Sequence, residues 1–216
     1  MAARGLGPLM DEVVFVGGAT IELYLAGQPA LKVRATDDVD CVVAVAARTG
    51  YHKLEERLRG LGFRHPVDEG SPICRWEYRG ILVDAMPLAG EVLGFSNRWY
   101  PDGFTSSIPA RLPDGQEIRI FSLPYLIASK LEAFRGRGRN DFMGSPDMED
   151  IVTIIDGVED FQLQIERAPK NVRRYLQDSF RELLADGRFL DALKGHLPPA
   201  AGPGREARAR AVLKAL

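Results

Sequence analysis

The sequence predicts an α/β (α+β) chain, strand-rich at first and helical afterwards. Short apolar runs separated by Gly, Pro and Asp turn signals fill residues 1–121, whereas apolar residues recur at helical spacing from Leu123 onward. Apolar residues make up 45% of the 216 positions, enough for a substantial core in one large or two small domains. The change of periodicity places a boundary near Ser122, dividing the chain into residues 1–121 and a helical domain, 122–216.

Taken in order, "EVVFV" at 12–16 reads as a buried strand, Gly17-Gly18 as a tight turn and "ATIELYLAG" as a short helical segment. "RATDDVDCVVAV", residues 34–45, opens a valine-rich strand. In "YHKLEERLRGLGF", Leu54, Leu58 and Leu61 mark one helix face and Gly62 ends it. "ICRWEY" and "ILVDAM" flank Arg79-Gly80, and "FTSSIPARL" and "QEIRIF" flank Pro113-Asp114-Gly115, both patterns of a chain reversal between strands. Ser122 and Pro124 then start a helix in "SLPYLIASKLEAFRG". Further helices are predicted over 147–156, 169–185 and 187–195, before a Pro/Gly-rich, then helical and basic tail from Pro198.

Charge and cysteine content narrow the class. Lys and Arg total 28 against 30 Asp and Glu, so the chain has no global attraction for nucleic acid, and only local patches can supply one. Cys41 and Cys74 are far apart in apolar runs, which favours buried free thiols over zinc ligands or a disulfide. No stretch approaches the roughly 18 consecutive apolar residues of a membrane span, and the N-terminus has no signal-peptide pattern. The expectation is a soluble cytoplasmic protein without membrane partners.

Asp38 and Asp40 lie one residue apart in a strand and so point to the same face, away from Val39, Cys41 and Val43. Two like charges in one small space shift their pKa values apart, share a proton or recruit a cation such as magnesium. Alone, the D-x-D reads more simply as a turn at Asp37-Asp38 followed by a solvent-facing Asp40, because short acidic patterns are abundant. Asp84 changes the balance, because it interrupts the second apolar strand "ILVDAM" and a neighbouring strand can carry it beside the pair. Three carboxylates suit one or two divalent ions and in-line phosphoryl or nucleotidyl displacement. Gly17-Gly18, after an apolar strand, permits the close backbone approach that a phosphate chain needs. No P-loop or dinucleotide fingerprint is present.

The order strand, Gly17-Gly18, helix, then Arg34-x-Thr36-x-Asp38-x-Asp40, then the lone strand aspartate Asp84 resembles the polymerase-β-like nucleotidyltransferase superfamily. "KLEAFRGRGRNDFMGSPDMEDIV" is similar, more narrowly, to the Lys-containing helix, Arg-rich loop and Asp-containing helix of AbiEii/AbiGii toxin and MenT-like nucleotidyltransferases. The resemblance implies a mixed-sheet core followed by a helical half that completes the nucleotide-binding cleft. It also implies magnesium-dependent transfer of a nucleoside monophosphate from an NTP to an acceptor hydroxyl. The implied acceptor is RNA, a tRNA 3′ end, and the implied biological role is the toxin of a toxin–antitoxin pair with a cognate antitoxin protein. Asp38, Asp40 and Asp84 are the implied metal ligands and catalytic acids. Gly17, Gly18, Arg34, Thr36, Lys130, Asp147 and Asp150 are the implied nucleotide contacts. Which of Asp141, Asp147 and Asp150 matches the family aspartate is open. "GGA" stands where many superfamily members carry Gly-Ser. Rival readings are an antibiotic nucleotidyltransferase acting on a small hydroxylated drug and a non-catalytic nucleotide-binding regulator.

Helix geometry singles out Lys130 independently. It falls inside the stripe of Leu123, Leu126, Ile127 and Phe134, where a lysine is costly unless an anion meets it or its ammonium snorkels to water. Asp147, two residues after the Ser145 N-cap, is favoured there simply by the helix dipole, yet it also projects toward the apolar side with Asp150. Arg135, Arg137 and Arg139, with Arg205, Arg208, Arg210 and Lys214, form basic runs that read either as solvated faces or as a track for an RNA backbone. Trp99 and Tyr100 read as packing aromatics before base-stacking ones.

Overall fold

A computed structural model describes residues 1–25, 33–67, 70–90, 92–94, 97–138, 140–198 and 203–216. The chain divides into two compact units, Met1–Thr20 with Ala35–Ser122, and Ile21–Arg34 with Leu123–Leu216. The strands are β1 Val13–Val16, β2 Asp38–Val43, β3 Arg75–Tyr78, β4 Ile81–Pro87, β5 Ile108–Arg111 and β6 Glu117–Ile120. Helices follow the order α1 Ala2–Leu6, α2 Ile21–Tyr24, α3 Arg48–Gly60, α4 Tyr100–Thr105 and α5 Leu123–Arg137. They continue with α6 Pro146–Gly157, α7 Phe161–Glu166, α8 Lys170–Ala185, α9 Gly187–His196 and α10 Pro203–Lys214.

The first unit is built on one mixed sheet in the order β3-β4-β2-β1-β6-β5. Strands β1/β2, β3/β4 and β5/β6 pair antiparallel, whereas β2/β4 and β1/β6 pair parallel. All four residues of β1 are buried, as an unbroken "VVFV" run in a central strand requires. Parallel pairing of β2 and β4 needs a crossover, and α3 lies within it. Tyr51, Leu54 and Leu58 of α3 are buried, and the Tyr51 hydroxyl donates to the Ala85 carbonyl of β4. Leu61 is only half-buried, because the helix has already ended in a Schellman turn. Gly62, at φ 89°, donates to Arg59, and Phe63 donates back to Leu58, its buried apolar partner.

Both predicted hairpins form. Arg79 and Gly80 take φ of 51° and 81°, the left-handed pair that a two-residue hairpin turn demands, and join Tyr78 to Ile81 in register. At the other, Gly115 has φ 85° and the Asp114 carboxylate accepts from the Gln116 amide, which closes the loop between Arg111 and Glu117. The segment after Gly17 begins helical, as expected. It is a 3₁₀ turn, Gly18–Thr20, continued by the single turn of α2, with Ala26 and Gly27 outside the described residues.

The second unit is helical. Leu126, Ile127, Leu131 and Phe134 of α5 are buried, as are Met148, Ile151, Val152 and Ile155 of α6. On α8, Val172, Leu176, Phe180 and Leu183 are buried at spacings of three and four residues. Ser145 caps α6 by accepting from the Met148 amide, with Pro146 at the first helical position. Asp186 caps α9 through the Arg188 amide. The C-terminal α10 attaches through Arg205 and Arg208, which both donate to the buried Asp156 near the end of α6. No helix among the described residues is long and apolar enough to cross a membrane.

Candidate functional site

In the strand unit, the acidic positions meet by register. β2 and β4 run parallel with Asp40 opposite Asp84, and Asp38 lies at the start of β2 opposite Leu82. The first three residues of β2 are half-buried and the last three buried, so the carboxylates occupy the mouth of the strand while its valines enter the core. Gly17 is dictated by Asp40. Its φ is 81°, and a Cβ built there would fall inside the Asp40 side chain, so only glycine lets the β1 end pack against that carboxylate. Thr20, itself buried, donates its hydroxyl to the Gly17 carbonyl and holds the turn.

A residue that the sequence reading missed sits at the centre of this group. Arg75 on β3 stands opposite Asp84 in the register. Its Nε donates to Asp84 Oδ1 at 2.8 Å and one terminal nitrogen donates to Asp84 Oδ2 at 2.7 Å. That same nitrogen also donates to Asp38 Oδ2 at 2.7 Å, so the two carboxylates converge on one guanidinium. The hydrogen bond to Asp84, followed by the charges of Asp84 and Asp38, raises the Arg75 pKa against the opposing effect of its burial. The shared guanidinium offsets the repulsion between the two carboxylates. The only sequence signal was an arginine flanked by Cys74 and Trp76 in the strand segment "ICRWEY".

Among the described residues, no three of His, Cys, Asp or Glu stand ready as a metal site. The expected ligand set of Asp38, Asp40 and Asp84 is therefore not preformed. The donor set still fits a hard divalent cation, since it is wholly carboxylate and three of its oxygens already approach one positive charge.

In the helical unit, Lys130 is 5% exposed, and its Nζ lies 2.6 Å from Asp150 and 3.6 Å from Asp147. It does not snorkel to water. Asp150 also faces Arg34 at 3.7 Å, and Asp147 also accepts from Arg137 at 3.1 Å. A chain of alternating charge results: Arg34, Asp150, Lys130, Asp147, Arg137. Of the two acids on α6, Asp150 is the closer to Lys130. Asp141 has another task, accepting from the Gly144 amide in the loop before α6. A cavity of about 370 Å³ opens beside this network, lined in part by Arg137, Asp141, Ser145 and Asp147. Thr36 is a half-buried residue of the segment ahead of β2.

The basic runs are largely matched within the fold. Arg135 pairs with Glu182 and stacks over Tyr175, Arg205 and Arg208 hold Asp156, and Arg210 pairs with Glu206. Arg139 lies outside the described residues. Arg137 and Arg208 remain largely exposed although each has an acidic partner. Trp99 is buried and the Tyr100 hydroxyl meets the Met86 sulfur, so both pack.

No protein-family model and no curated protein matches the chain. Among solved structures, it is similar to the solution structure of the antibiotic-resistance factor ANT(2'')-Ia. Identity is 19%, over 84% of this chain and 90% of that one, with a TM-score of 0.47. A likeness of that extent assigns neither family nor activity.

Proposed function

We propose that the chain is a nucleotidyltransferase that moves a nucleoside monophosphate from an NTP to an acceptor hydroxyl. The observation that carries this reading is the in-register pairing of Asp40 with Asp84, beside Asp38 and against the Gly17 turn. Asp38, Asp40 and Asp84 would hold magnesium. When bound, magnesium neutralises triphosphate charge and polarises the reacting oxygens. Gly17 and Gly18 leave backbone accessible to a phosphate chain. The acceptor oxygen attacks the α-phosphorus and the bond to the β-phosphate oxygen breaks to release pyrophosphate, the hydroxyl proton passing to Asp84 where that residue is not a metal ligand and to solvent where it is. Lys130 is the proposed triphosphate contact of the helical unit, oriented by Asp150 and Asp147. Arg34 and Thr36 are further proposed nucleotide contacts.

The sequence resemblance to AbiEii/AbiGii and MenT-like proteins supports RNA, in particular a tRNA 3′ end, as acceptor, and a toxin paired with an antitoxin as the role. The internal pairing of the arginines favours a second reading, a small hydroxylated acceptor such as an aminoglycoside. Incubation of the protein with each α-labelled NTP, magnesium, total RNA and a panel of aminoglycosides separates these readings. Label in RNA supports the first, label in a drug the second, and no magnesium-dependent transfer to either rejects nucleotidyl transfer.

A further inference from the structure

We propose that Arg75 is the resident counter-cation of the acidic cluster, a positioning residue whose guanidinium must leave Asp38 and Asp84 before a divalent cation can bind. This inference rests on the metal-binding reading above and adds what sets the affinity.

Three facts carry it. Arg75 occupies both oxygens of Asp84 and one of Asp38, so three of the oxygens proposed as metal ligands are already hydrogen-bonded to a positive charge. A divalent ion and the guanidinium would compete for the same lone pairs, at distances of 2.7–2.8 Å that leave no room between them. The side chains also differ in freedom. Arg75 belongs to β3, at one end of the strand order, and its side chain is 25% exposed, whereas that of Asp84 on the inner strand β4 is 11% exposed. The arginine can therefore swing toward water on its long stem, while Asp84 stays in place to receive the metal. The planar fork is essential to the arrangement, because only a guanidinium spans the two Asp84 oxygens while reaching Asp38.

Competition makes a prediction opposite to that of simple support. If Arg75 blocks the site, its removal tightens metal binding; if it only props Asp84 in the right orientation, its removal weakens it. The experiment is titration of the full chain with Mn2+, read by the electron paramagnetic signal of free Mn2+, for wild type, R75Q, R75K and D84N. The expected result is at least a ten-fold tighter Mn2+ affinity for R75Q than for wild type. R75K, which keeps a charge but loses the fork, is expected to bind several-fold tighter than wild type, and it decides the matter alone if R75Q does not fold. D84N is expected to lose binding. Equal or weaker affinity in both Arg75 variants, with wild type still binding Mn2+, overturns the inference and leaves the metal reading intact. Absence of binding in every folded variant overturns both.

Discussion

Gly17 shows how one position couples backbone conformation to the acidic cluster. Alanine there must adopt a left-handed φ, which costs about 1–2 kcal/mol for an L-residue, and must also displace the Asp40 side chain. Gly17→Ala is accordingly predicted to lower stability by more than 1–2 kcal/mol, roughly the backbone cost alone. Chemical denaturation checks this, and a variant as stable as wild type contradicts the packing of Gly17 on Asp40. The cysteines make a second point. Burial pushes both thiols up, Cys74 to about 12 and Cys41 further, so neither forms appreciable thiolate near neutral pH. A disulfide-exchange reagent at pH 8 is expected to react slowly with the native protein and rapidly with two thiols once it is unfolded. Much of this was legible beforehand: the Gly17-Gly18 turn, the shared face of Asp38 and Asp40, and the buried thiols all follow from local pattern. Arg75 was not, because its role comes from cross-strand register, which places Arg75 against Asp84 and Asp84 against Asp40 from three separate stretches of chain.

Secondary structure repeats the same division between local and non-local information. Hairpins with strong turn residues and helices with clear caps were predicted close to their observed bounds, since Arg79-Gly80, Gly115, Ser145 and Pro146 act on their own neighbours. The short helices α1, α4 and α7 were missed. α1 and α4 contain glycine, and in α4 Gly103 is needed so that the Phe121 ring can lie against the backbone, a tertiary reason invisible in "YPDGFT". The contact between α5 and α6 was half-foreseen, because the stripe on α5 demanded an anion for Lys130 without saying which one. Asp150 supplies it. With Lys130 and Asp150 both nearly excluded from water, removing either partner is predicted to cost about 3–5 kcal/mol. The double variant K130M/D150L should recover part of that loss in a double-mutant cycle by chemical denaturation. Strictly additive losses would mean that the pair is not coupled.

For the molecule as a whole, the sequence led to a strand-rich part and a helical part, and the structure has a mixed six-stranded sheet in one unit and helices in the other. Ile21–Arg34, read with the strands, belongs to the helical unit, a connection that periodicity does not reveal. Charge is arranged economically in both units. The carboxylates of the sheet share an arginine, and the lysine of the helices shares two aspartates. The most direct measurement is magnesium-dependent label transfer from an α-labelled NTP by wild type, D40N and D84N, each shown to be folded by circular dichroism. Transfer by wild type, reduced at least a hundred-fold in both variants, is the predicted result. Transfer that persists unchanged in the two asparagine variants would contradict the assignment of the β2–β4 acids as the reaction centre.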